Sequence, residues 1–523
     1  MRKNIIFMGL ALALGGLCLA TAVHGGPSGP GRVYMVLWFD TEDYVLPQTN
    51  DVAKRLATFL TQQGIRATFR LVGEKARMLE RENRRDVIEA LDRHEIGYHT
   101  NFHSQHPTLD EYEEPLNWEA GVEEFNRRER PGFEDIRRIF GQIPTNFDQG
   151  GATWVPQSYG ALDQWGVKVY IGGSRDIGLD GKPFWYGRVL NICHVPETGA
   201  LRPNTDNSPE SLDKPDTDWT NLEKVKANFQ EIYARMSSQP EGGVVSFMFH
   251  PYEFITKVDW DIINFPHGAN PPRSQWKLPP LRSPEVSARA FHFFEDFITY
   301  TKSFPNVEYV TPTQVLVLFA DAAQQHSFSS REISRIAAGV SPGVSFQVYE
   351  DYALSASEVL ALLNKFAVQT LRGRGSDPIM LDGTPYGPDA RSAALDHTVE
   401  IPWNQFSRTS QDVEGFLEAN RRVPSVIWFG SQGVSPESYL VALAGVVKAL
   451  QDKGTPPDPV VVGPATLAAA KYAGQDSSAW QWEIAPDHVQ RPNLIEIAKL
   501  QTWTLKPTKL RRGRVLGTTG LKD

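Results

Sequence analysis

Short apolar strands alternate with amphipathic helices between residues 33 and 310, and this alternation restricts the fold more than any other feature. Residues 33–39 (Val-Tyr-Met-Val-Leu-Trp-Phe) have the composition of a strand that is buried on both faces. The pattern predicts further strands at 67–72, 95–98, 166–171, 243–249 and 307–310, and helices at 51–63, 221–236 and 291–301. It therefore predicts an α/β fold, with a parallel sheet wrapped by helices and closed or partly closed as a barrel. Functional residues of such folds lie at the C-terminal ends of the strands.

The composition excludes several classes of protein. Hydrophobic residues make up 41% of the 523 residues, which is enough for large cores and rules out a disordered chain. The chain carries 53 basic and 62 acidic residues, and its net charge of −9 argues against nucleic acid as the main partner. Two cysteines are too few for a disulfide framework.

The N-terminus predicts export from the cytoplasm. Two basic residues precede an apolar stretch at 5–20, and Ala20 and Ala22 are the small residues that a signal peptidase reads. We expect a signal peptide at 1–22 and a linker at 23–32. An uncleaved anchor helix is the alternative, because about 18 apolar residues is the lower limit for spanning a bilayer. No other segment is apolar enough to span a membrane, so we expect a periplasmic, wall-associated or extracellular protein.

A polar stretch of small residues at 322–330 predicts a domain boundary. The predicted organisation is a barrel domain at 33–325, a smaller, mainly helical α+β domain at 331–510 and a basic tail at 511–523. In the second domain, residues 354–363 align with 434–443, and each unit predicts an N-capped amphipathic helix followed by a short extended segment. We interpret this as a weak internal repeat.

A cluster of histidines predicts a metal site. Four of the 12 histidines fall between His94 and His106, which is typical of metal coordination. His99 and His103 have the i, i+4 spacing that projects two imidazoles to the same side of a helical turn. Two neutral imidazoles can hold zinc, but they need a hard third ligand and an open position for water. His94 and His106 are more typical of structural or exposed residues.

Carboxylates that follow the first strand supply candidates for the remaining roles. Asp40, Glu42 and Asp43 are three acids within four residues, and this clustering is costly unless a positive charge neutralises it. A dication shared with the histidines would do so, with one carboxylate as ligand and another as general base. His250 directly follows the strand at 243–249 and would face Asp40 as an acid.

These motifs resemble the NodB-type polysaccharide deacetylases, the carbohydrate esterase group that includes chitin and peptidoglycan deacetylases. The resemblance covers residues 33 to about 315. Residues 94–103 (His-Glu-Ile-Gly-Tyr-His-Thr-Asn-Phe-His) are close to the family's His-Glu-Ile-Gly-x-His-Thr-x-x-His motif. The other matches are Ala67-Thr68-Phe69 with Gly73 for the family's Ala-Thr-Phe-Phe strand and glycine, Asp218-Trp219 for the fourth motif and Phe249-His250 for the fifth.

The resemblance implies a distorted (β/α) barrel and a zinc ion, or another divalent metal, held by one aspartate with His99 and His103. It also implies Asp40 as the base and His250 as the acid. In the family, the base and the metal-binding aspartate are adjacent, whereas Thr41-Glu42 separates Asp40 from Asp43 here. We expect Asp43 to be the ligand, with Glu42 as the alternative.

The third motif departs further from the family. There, an arginine in an Arg-Pro-Pro-Tyr-Gly-like loop orients the base, whereas residues 146–154 read Asn-Phe-Asp-Gln-Gly-Gly-Ala-Thr-Trp. Asp148 in this loop is a candidate supporting residue, and Arg175 is a candidate substitute for the arginine. Four aromatic residues either stack on sugar rings or pack in the core: Trp154, Trp185, Tyr186 and Trp219.

The expected activity is zinc-dependent hydrolysis of N-acetyl groups on an envelope or extracellular polysaccharide. Hydrolysis of another C–N amide bond is a second hypothesis, motivated by the changed third motif. A glycan-binding protein with a retired catalytic domain is a third. The C-terminal repeats faintly resemble wall-binding repeats such as those that bind pseudomurein, which implies an anchor, and a domain that only braces the barrel is the alternative. The expected partner is therefore a polysaccharide or cell-wall glycan, with no nucleic acid and no membrane span after signal cleavage.

Overall fold

A computed structural model describes residues 30–151, 153–172, 176–192, 199–474 and 482–510. The predicted signal peptide, most of the predicted linker, the basic tail, both cysteines and Arg175 lie outside the described residues. Among the helices that are described, none is long and apolar enough to cross a bilayer.

Strands and helices alternate through the first part of the chain. They are β1 (Val33–Thr41), α1 (Gln48–Gln62), β2 (Thr68–Leu71), α2 (Gly73–Arg81), α3 (Arg85–Asp92), β3 (Glu95–Tyr98), α4 (Leu109–Glu113), α5 (Trp118–Phe140), β4 (Asn146–Phe147), α6 (Ser158–Trp165), β5 (Val169–Ile171), β6 (Phe184–Tyr186), β7 (Val189–Ile192), α7 (Leu222–Ser237), β8 (Gly243–Phe249), α8 (Pro284–Lys302), β9 (Val307–Tyr309) and α9 (Pro312–Leu318).

Short strands and longer helices make up the second part. They are β10 (Ser327–Phe328), α10 (Ser330–Ala338), β11 (Gly343–Val344), β12 (Gln347–Val348), β13 (Ala353–Leu354), α11 (Ala356–Leu371), β14 (Ile379–Met380), β15 (Val399–Ile401), α12 (Trp403–Asn420), β16 (Ile427–Phe429), β17 (Gln432–Val434), α13 (Pro436–Lys453), β18 (Val460–Val462), β19 (Thr466–Leu467), α14 (Pro492–Gln501) and β20 (Lys506–Pro507).

One curled sheet organises the first part of the fold. Within the described residues it has ten strands in the order β20-β6-β7-β5-β4-β3-β2-β1-β8, and β9 also pairs with β1. The pairs from β8 through β5 to β7 are parallel, whereas β6 is antiparallel to both β7 and β20. Because the strand path ends at β8 and β20, the sheet is a half-barrel. This confirms the α/β prediction in its partly closed form.

Strand β1, next to the last strand of the sheet path, shows that the sheet is covered on both faces. All nine of its residues are buried. Alternate side chains point to opposite faces of a strand. Met35 and Phe39 accordingly pack in the main core under the helices, and Val36 and Trp38 pack in a second cluster on the other face. The apolar run at 33–39 is therefore a strand buried on both faces, as the sequence predicted.

Several elements differ from the prediction. The strand predicted at 166–171 starts at Val169, because Gly166 adopts a left-handed φ of 80° where it ends α6. Strand β4 has only two residues, which is too short to produce a hydrophobic period. The β6–β7 hairpin and β20 were not predicted either, although each extends the sheet.

A second core begins near the predicted boundary. Buried residues from Ala323 to Val462, with Trp503, form a hydrophobic cluster separate from that of the barrel. The two helices of the predicted repeat lie in it, and each starts at a serine N-cap, Ser355 for α11 and Ser435 for α13. This agrees with the local prediction of N-capped helices.

The last described segment returns to the barrel. Leu494, Ile497 and Leu505 belong to the main core, and β20 pairs with β6. The fully buried Lys506 forms ion pairs with Glu358 of the second core. The final part of the predicted unit at 331–510 therefore packs on the barrel.

Deletion of residues 482–523 should destabilise the whole protein. Burial of the three side chains Leu494, Ile497 and Leu505 contributes roughly 5 to 9 kcal/mol, at about 1.5 to 3 kcal/mol each. That is comparable to the entire stability of a typical domain. We expect a large fall in soluble yield and in the midpoint of thermal unfolding followed by circular dichroism. Deletion of 511–523 alone is the control, and equal midpoints for the two truncations would contradict the prediction.

Candidate metal and catalytic site

Three side chains from two strand ends meet below the surface. The Nε2 atoms of His99 and His103 lie 3.1 and 3.2 Å from the same oxygen, Oε2 of Glu42. All three side chains are almost fully buried, with at most 4% of their surface exposed. A carboxylate and two imidazole nitrogens that converge in this way have the donor chemistry of a divalent metal site.

The structure places Glu42, the alternative carboxylate, beside the two histidines and directs Asp43 elsewhere. Side chains alternate along an extended chain, so Asp40 and Glu42 project to one side and Asp43 to the other. Oδ1 of Asp43 instead accepts hydrogen bonds from the backbone N–H groups of Val45 at 2.8 Å and Leu46 at 3.0 Å. Asp43 therefore holds the turn after β1, and the alternative, Glu42, is the carboxylate beside the histidines.

The i, i+4 spacing of the two histidines predicted a helical turn, but the structure does not place them on one. Residues 99–103 form a loop after β3, in which Thr100 and His103 have left-handed φ angles of 66° and 57°. Glu129 of α5 holds this loop by accepting a hydrogen bond from the backbone N–H of Asn101 at 2.7 Å. Gly132, one turn further along α5, permits the close approach, since a Cβ there would lie 2.7 Å from Oδ1 of Asn101.

The other nitrogen of each imidazole also has a partner. Nδ1 of His99 lies 3.1 Å from the backbone oxygen of Asp148. Nδ1 of His103 lies 2.5 Å from Oγ of Ser104, which in turn donates to Asp261 at 3.0 Å. Such contacts fix ring orientation and leave both Nε2 atoms for a ligand, as in known metal sites. The residues present therefore fit a divalent metal.

A tryptophan orients the carboxylate of the group. Nε1 of the fully buried Trp260 donates to Oε1 of Glu42 at 3.1 Å, so Oε2 is left facing the histidines. Trp260 and Asp261 were not predicted from the sequence, because they lie in an irregular segment far along the chain. A tryptophan next to an aspartate among apolar residues was too weak a signal to predict a site.

Asp40 is paired with an arginine that sequence analysis also missed. Nη2 of Arg70 lies 2.5 Å from Oδ1 of Asp40, and Nη1 lies 3.0 Å from Oδ2 of Asp148. Burial raises the pKa of Asp40, but the charges of Arg70 and His99 outweigh it and lower the pKa well below its usual range. Burial, reinforced by the charge of Asp40, raises the pKa of Asp148 to about 8. A charged residue inside the apolar strand β2 was the available signal, because buried charges need partners.

His250 faces the free oxygen of Asp40. Its Nε2 lies 3.5 Å from Oδ2 of Asp40, and its Nδ1 lies 2.9 Å from Oε1 of Glu253. Burial lowers the pKa of His250, but the charge of Glu253 and the contact with Asp40 outweigh it and raise the pKa well above its ordinary value. His250 is therefore arranged to carry a proton. The placement opposite Asp40 is the one that the sequence predicted.

The remaining predicted residues support the site or pack in the core. Asp218 pairs at 2.8 Å with Arg282, whose Nε donates to the backbone oxygen of Glu253, so Asp218 is linked to His250 through two intervening residues. Trp219 and Trp154 are 1% exposed and pack against Phe249 and Tyr159, respectively. With the equally buried Tyr186, they are core residues rather than sugar-stacking platforms.

A loop and a returning segment cover His103. Trp482 lies edge-on to it, with ring centroids 5.5 Å apart. A Cβ at Gly150 would lie 2.8 Å from the His103 ring, and one at Gly151 would lie 2.5 Å from the Trp482 ring. The two glycines thus allow the loop of the changed third motif to pack closely between His103 and Trp482.

Neither His94 nor His106 takes part in the group of potential ligands. Nδ1 of His94 accepts from the backbone N–H of Ala67 at 3.2 Å, and its Nε2 lies 2.9 Å from the backbone oxygen of Ala57. Nδ1 of His106 lies 2.6 Å from Glu111. Both roles are structural.

Comparisons with known proteins find only distant structural likenesses. No family model and no curated protein matches the chain. A structure from Mycobacterium smegmatis described as a candidate polysaccharide deacetylase is 14% identical, with a TM-score of 0.36 over 55% of this chain and 90% of that one. A family 4 acetyl xylan esterase from Clostridium thermocellum, in complex with cobalt, is 16% identical, with a TM-score of 0.28 over 55% and 91%.

A 4-alpha-glucanotransferase from Thermococcus litoralis is 11% identical, with a TM-score of 0.36 over 80% of this chain and 56% of that one. The first two structures each match 55% of this chain, and the comparisons do not support the predicted wall-binding repeats.

Replacement of Glu42 and of Asp43 should have different effects on metal binding. Glu42→Ala removes one of three converging donors, so we expect zinc affinity to fall by more than about 100-fold, the upper figure for loss of an outer-shell partner. Asp43→Asn keeps an oxygen acceptor for the turn and should bind zinc as the wild type does. Competition with a chromophoric chelator measures both affinities. Equal loss in the two variants would contradict the assignment.

Buried His94 should make stability depend on pH. Burial lowers its pKa to about 4, whereas the unfolded chain titrates near 6.5. The unfolded state therefore binds more protons between these values, and stability falls as the pH drops from 6.5 to 4. In His94→Gln the fall should be smaller. The exposed His292→Gln is the control, and urea unfolding at several pH values is the measurement; an unchanged slope in His94→Gln would rule the prediction out.

Proposed function

We propose that this protein is a metal-dependent hydrolase that removes N-acetyl groups from an envelope or extracellular polysaccharide. The observation that carries the proposal is the position of the Asp40–His250 pair beside the group formed by Glu42, His99 and His103. A proton acceptor, a proton donor and a set of metal ligands at the same strand ends are the requirements of amide hydrolysis. The motif resemblance to NodB-type deacetylases supports the same reaction.

A divalent metal such as zinc, when held by Glu42, His99 and His103, supplies Lewis-acid activation of water and of a carbonyl oxygen. The side chains of the protein perform the proton transfers. Asp40 is ionised beside Arg70, and its second oxygen is free to accept a proton from the attacking water. The tight packing around the site keeps bulk water away from these charges.

His250 serves as the proton donor. An amine is a poor leaving group until it is protonated, so the C–N bond breaks only if an acid is close. The carboxylate of Glu253 holds the imidazole at Nδ1, and this contact leaves Nε2 facing the reaction space. Burial raises the pKa of Glu253, but the charges of Arg202, which lies 2.6 Å away, and of His250 outweigh it and lower the pKa to about 2. The chain of contacts maintains a charged, oriented imidazole.

The location of the activity rests on the sequence. The predicted signal peptide at 1–22 places the mature chain outside the cytoplasm, where acetylated wall and matrix glycans are found. Zinc is the metal that the donor set favours, since two imidazoles and one carboxylate with an open position is a common catalytic zinc arrangement.

Hydrolysis of another amide is a second candidate. The observation that favours it is the close cover over His103, formed by Gly150, Gly151 and Trp482. A narrow site accepts a small amide substrate more readily than a long glycan chain. Activity on small amides, without acetate release from glycans, would select this reading. The third hypothesis, glycan binding without catalysis, expects neither activity.

Acetate release from N-acetylglucosamine oligomers is the test. The wild type loaded with zinc should release acetate, and removal of the metal by a chelator should abolish the release. Asp40→Asn and His250→Ala should each lower turnover by about 10²- to 10⁴-fold, the typical range for loss of a general base or acid. Trp428→Ala changes an exposed residue in the second part of the chain. This variant is the control and should be fully active. A zinc-loaded wild type that releases no acetate, or an Asp40→Asn variant with wild-type turnover, would refute the proposal.

A further inference from the structure

Arg70 makes contacts with several strand ends at once. Its guanidinium pairs with Asp40 after β1 and with Asp148 after β4, at 2.5 and 3.0 Å. Nη1 also donates to the backbone oxygen of Ile171 in β5 at 2.9 Å. The ring of Trp38 lies 3.7 Å below it, and the side chain has no exposed surface. One buried cation thus connects β1, β2, β4 and β5.

The arrangement depends on a glycine in the intervening strand. Arg70 of β2 is in register with Gly97 of β3, and a Cβ at Gly97 would lie 2.5 Å from Cγ of Arg70. Any other residue at 97 would block the path from β2 across β3 to Asp148. A second glycine, Gly172, has a φ of 136° and would place a Cβ 2.1 Å from Oδ1 of Asp148. The backbone is therefore shaped around this ion-pair network.

We propose that Arg70 is the positioning residue of the site and replaces, from strand β2, the arginine that the third-motif loop lacks. By holding Oδ1 of Asp40, it leaves Oδ2 directed at His250. By holding the carboxylate of Asp148, it fixes the residue whose backbone oxygen faces Nδ1 of His99. Arg70 thereby orients both the base and one imidazole of the candidate metal site. The role of Arg70 in orienting the base rests on the proposed function, whereas its role in orienting the imidazole of His99 does not.

A planar guanidinium suits this role better than a point charge. Arginine presents several N–H donors in a rigid fork and contacts two carboxylates simultaneously. A lysine at this position reaches one partner at a time. Without any cation, Asp40 and Asp148 are two carboxylates buried next to each other, so their positions change even where the fold persists.

The test compares Arg70→Ala, Arg70→Leu and Arg70→Lys for zinc affinity, for the visible spectrum of the cobalt-loaded protein and for kcat and KM of acetate release. We expect all three variants to lose about 10- to 100-fold in zinc affinity and in kcat, the usual effect of removing an outer-shell partner, with little change in KM. The cobalt spectrum should shift because His99 reorients. Millimolar guanidinium should restore kcat and the spectrum in Arg70→Ala, which has room for it, but not in Arg70→Leu.

Lys506→Met is the control for loss of a buried cation. Lys506 is paired with Glu358 and Asp321 far from the site, so this variant should be less stable but should bind zinc normally. If Arg70→Ala does not fold, Asp148→Asn replaces it and should also reduce zinc affinity. Wild-type zinc affinity and cobalt spectrum in the folded variants would overturn the proposal. A wild type that binds zinc but releases no acetate refutes only the proposed function, because affinity and spectrum still report on Arg70.

Discussion

The register of β1 against its neighbours sets the distances of the candidate site. β1 pairs in parallel with β2 on one side and with β8 on the other, so Asp40 lies beside Arg70 while Phe39 lies beside Phe249. His250 follows Phe249 directly and therefore faces Asp40. A shift of one residue in either pairing would turn every side chain to the opposite face of the sheet. The proposed acid, the proposed base and the buried cation all depend on this single alignment.

The same region concentrates charge in a water-poor interior. Asp40, Glu42, Asp148 and Asp261 are buried, and each has at least one cationic or polar partner within the site. Isolated buried carboxylates are very costly, and paired ones are tolerated only with good geometry. Arg70 neutralises one part of this cluster, and a dication between Glu42 and the histidines would neutralise another. The arrangement of charges is thus itself an argument for a cation-binding role.

The parts of the fold that follow from local pattern were predictable. β3 and β8 have the predicted limits, and β1 extends the predicted run by two residues, because uninterrupted apolar strands leave a clear signal. His99 and His103 were predicted from the clustering and spacing of histidines, and His250 from its place directly after a buried strand. The choice of Glu42 over Asp43 was also contained in the sequence, since the alternation of side chains pairs residue 42 with residue 40.

Other features depend on contacts between distant residues. The i, i+4 spacing of His99 and His103 suits a helix, but Glu129, 28 residues beyond Asn101, holds a loop instead. Ser104 reaches Asp261 across 157 residues, and no local pattern encodes that contact. Arg70 gains its meaning only from Asp148 and from the space at Gly97.

The return of α14 and β20 to the barrel has a consequence for biosynthesis. Leu494 and Leu505 belong to the main core, but the other strands of the barrel end near residue 310. The ribosome must therefore add almost 200 residues before the barrel is finished. At roughly 5 to 20 residues per second this interval lasts about 10 to 40 seconds. Throughout it the edge of β6 is unpaired and the apolar surface under α14 is uncovered. The nascent chain is thus open to chaperones, and an interrupted chain is left with an incomplete core.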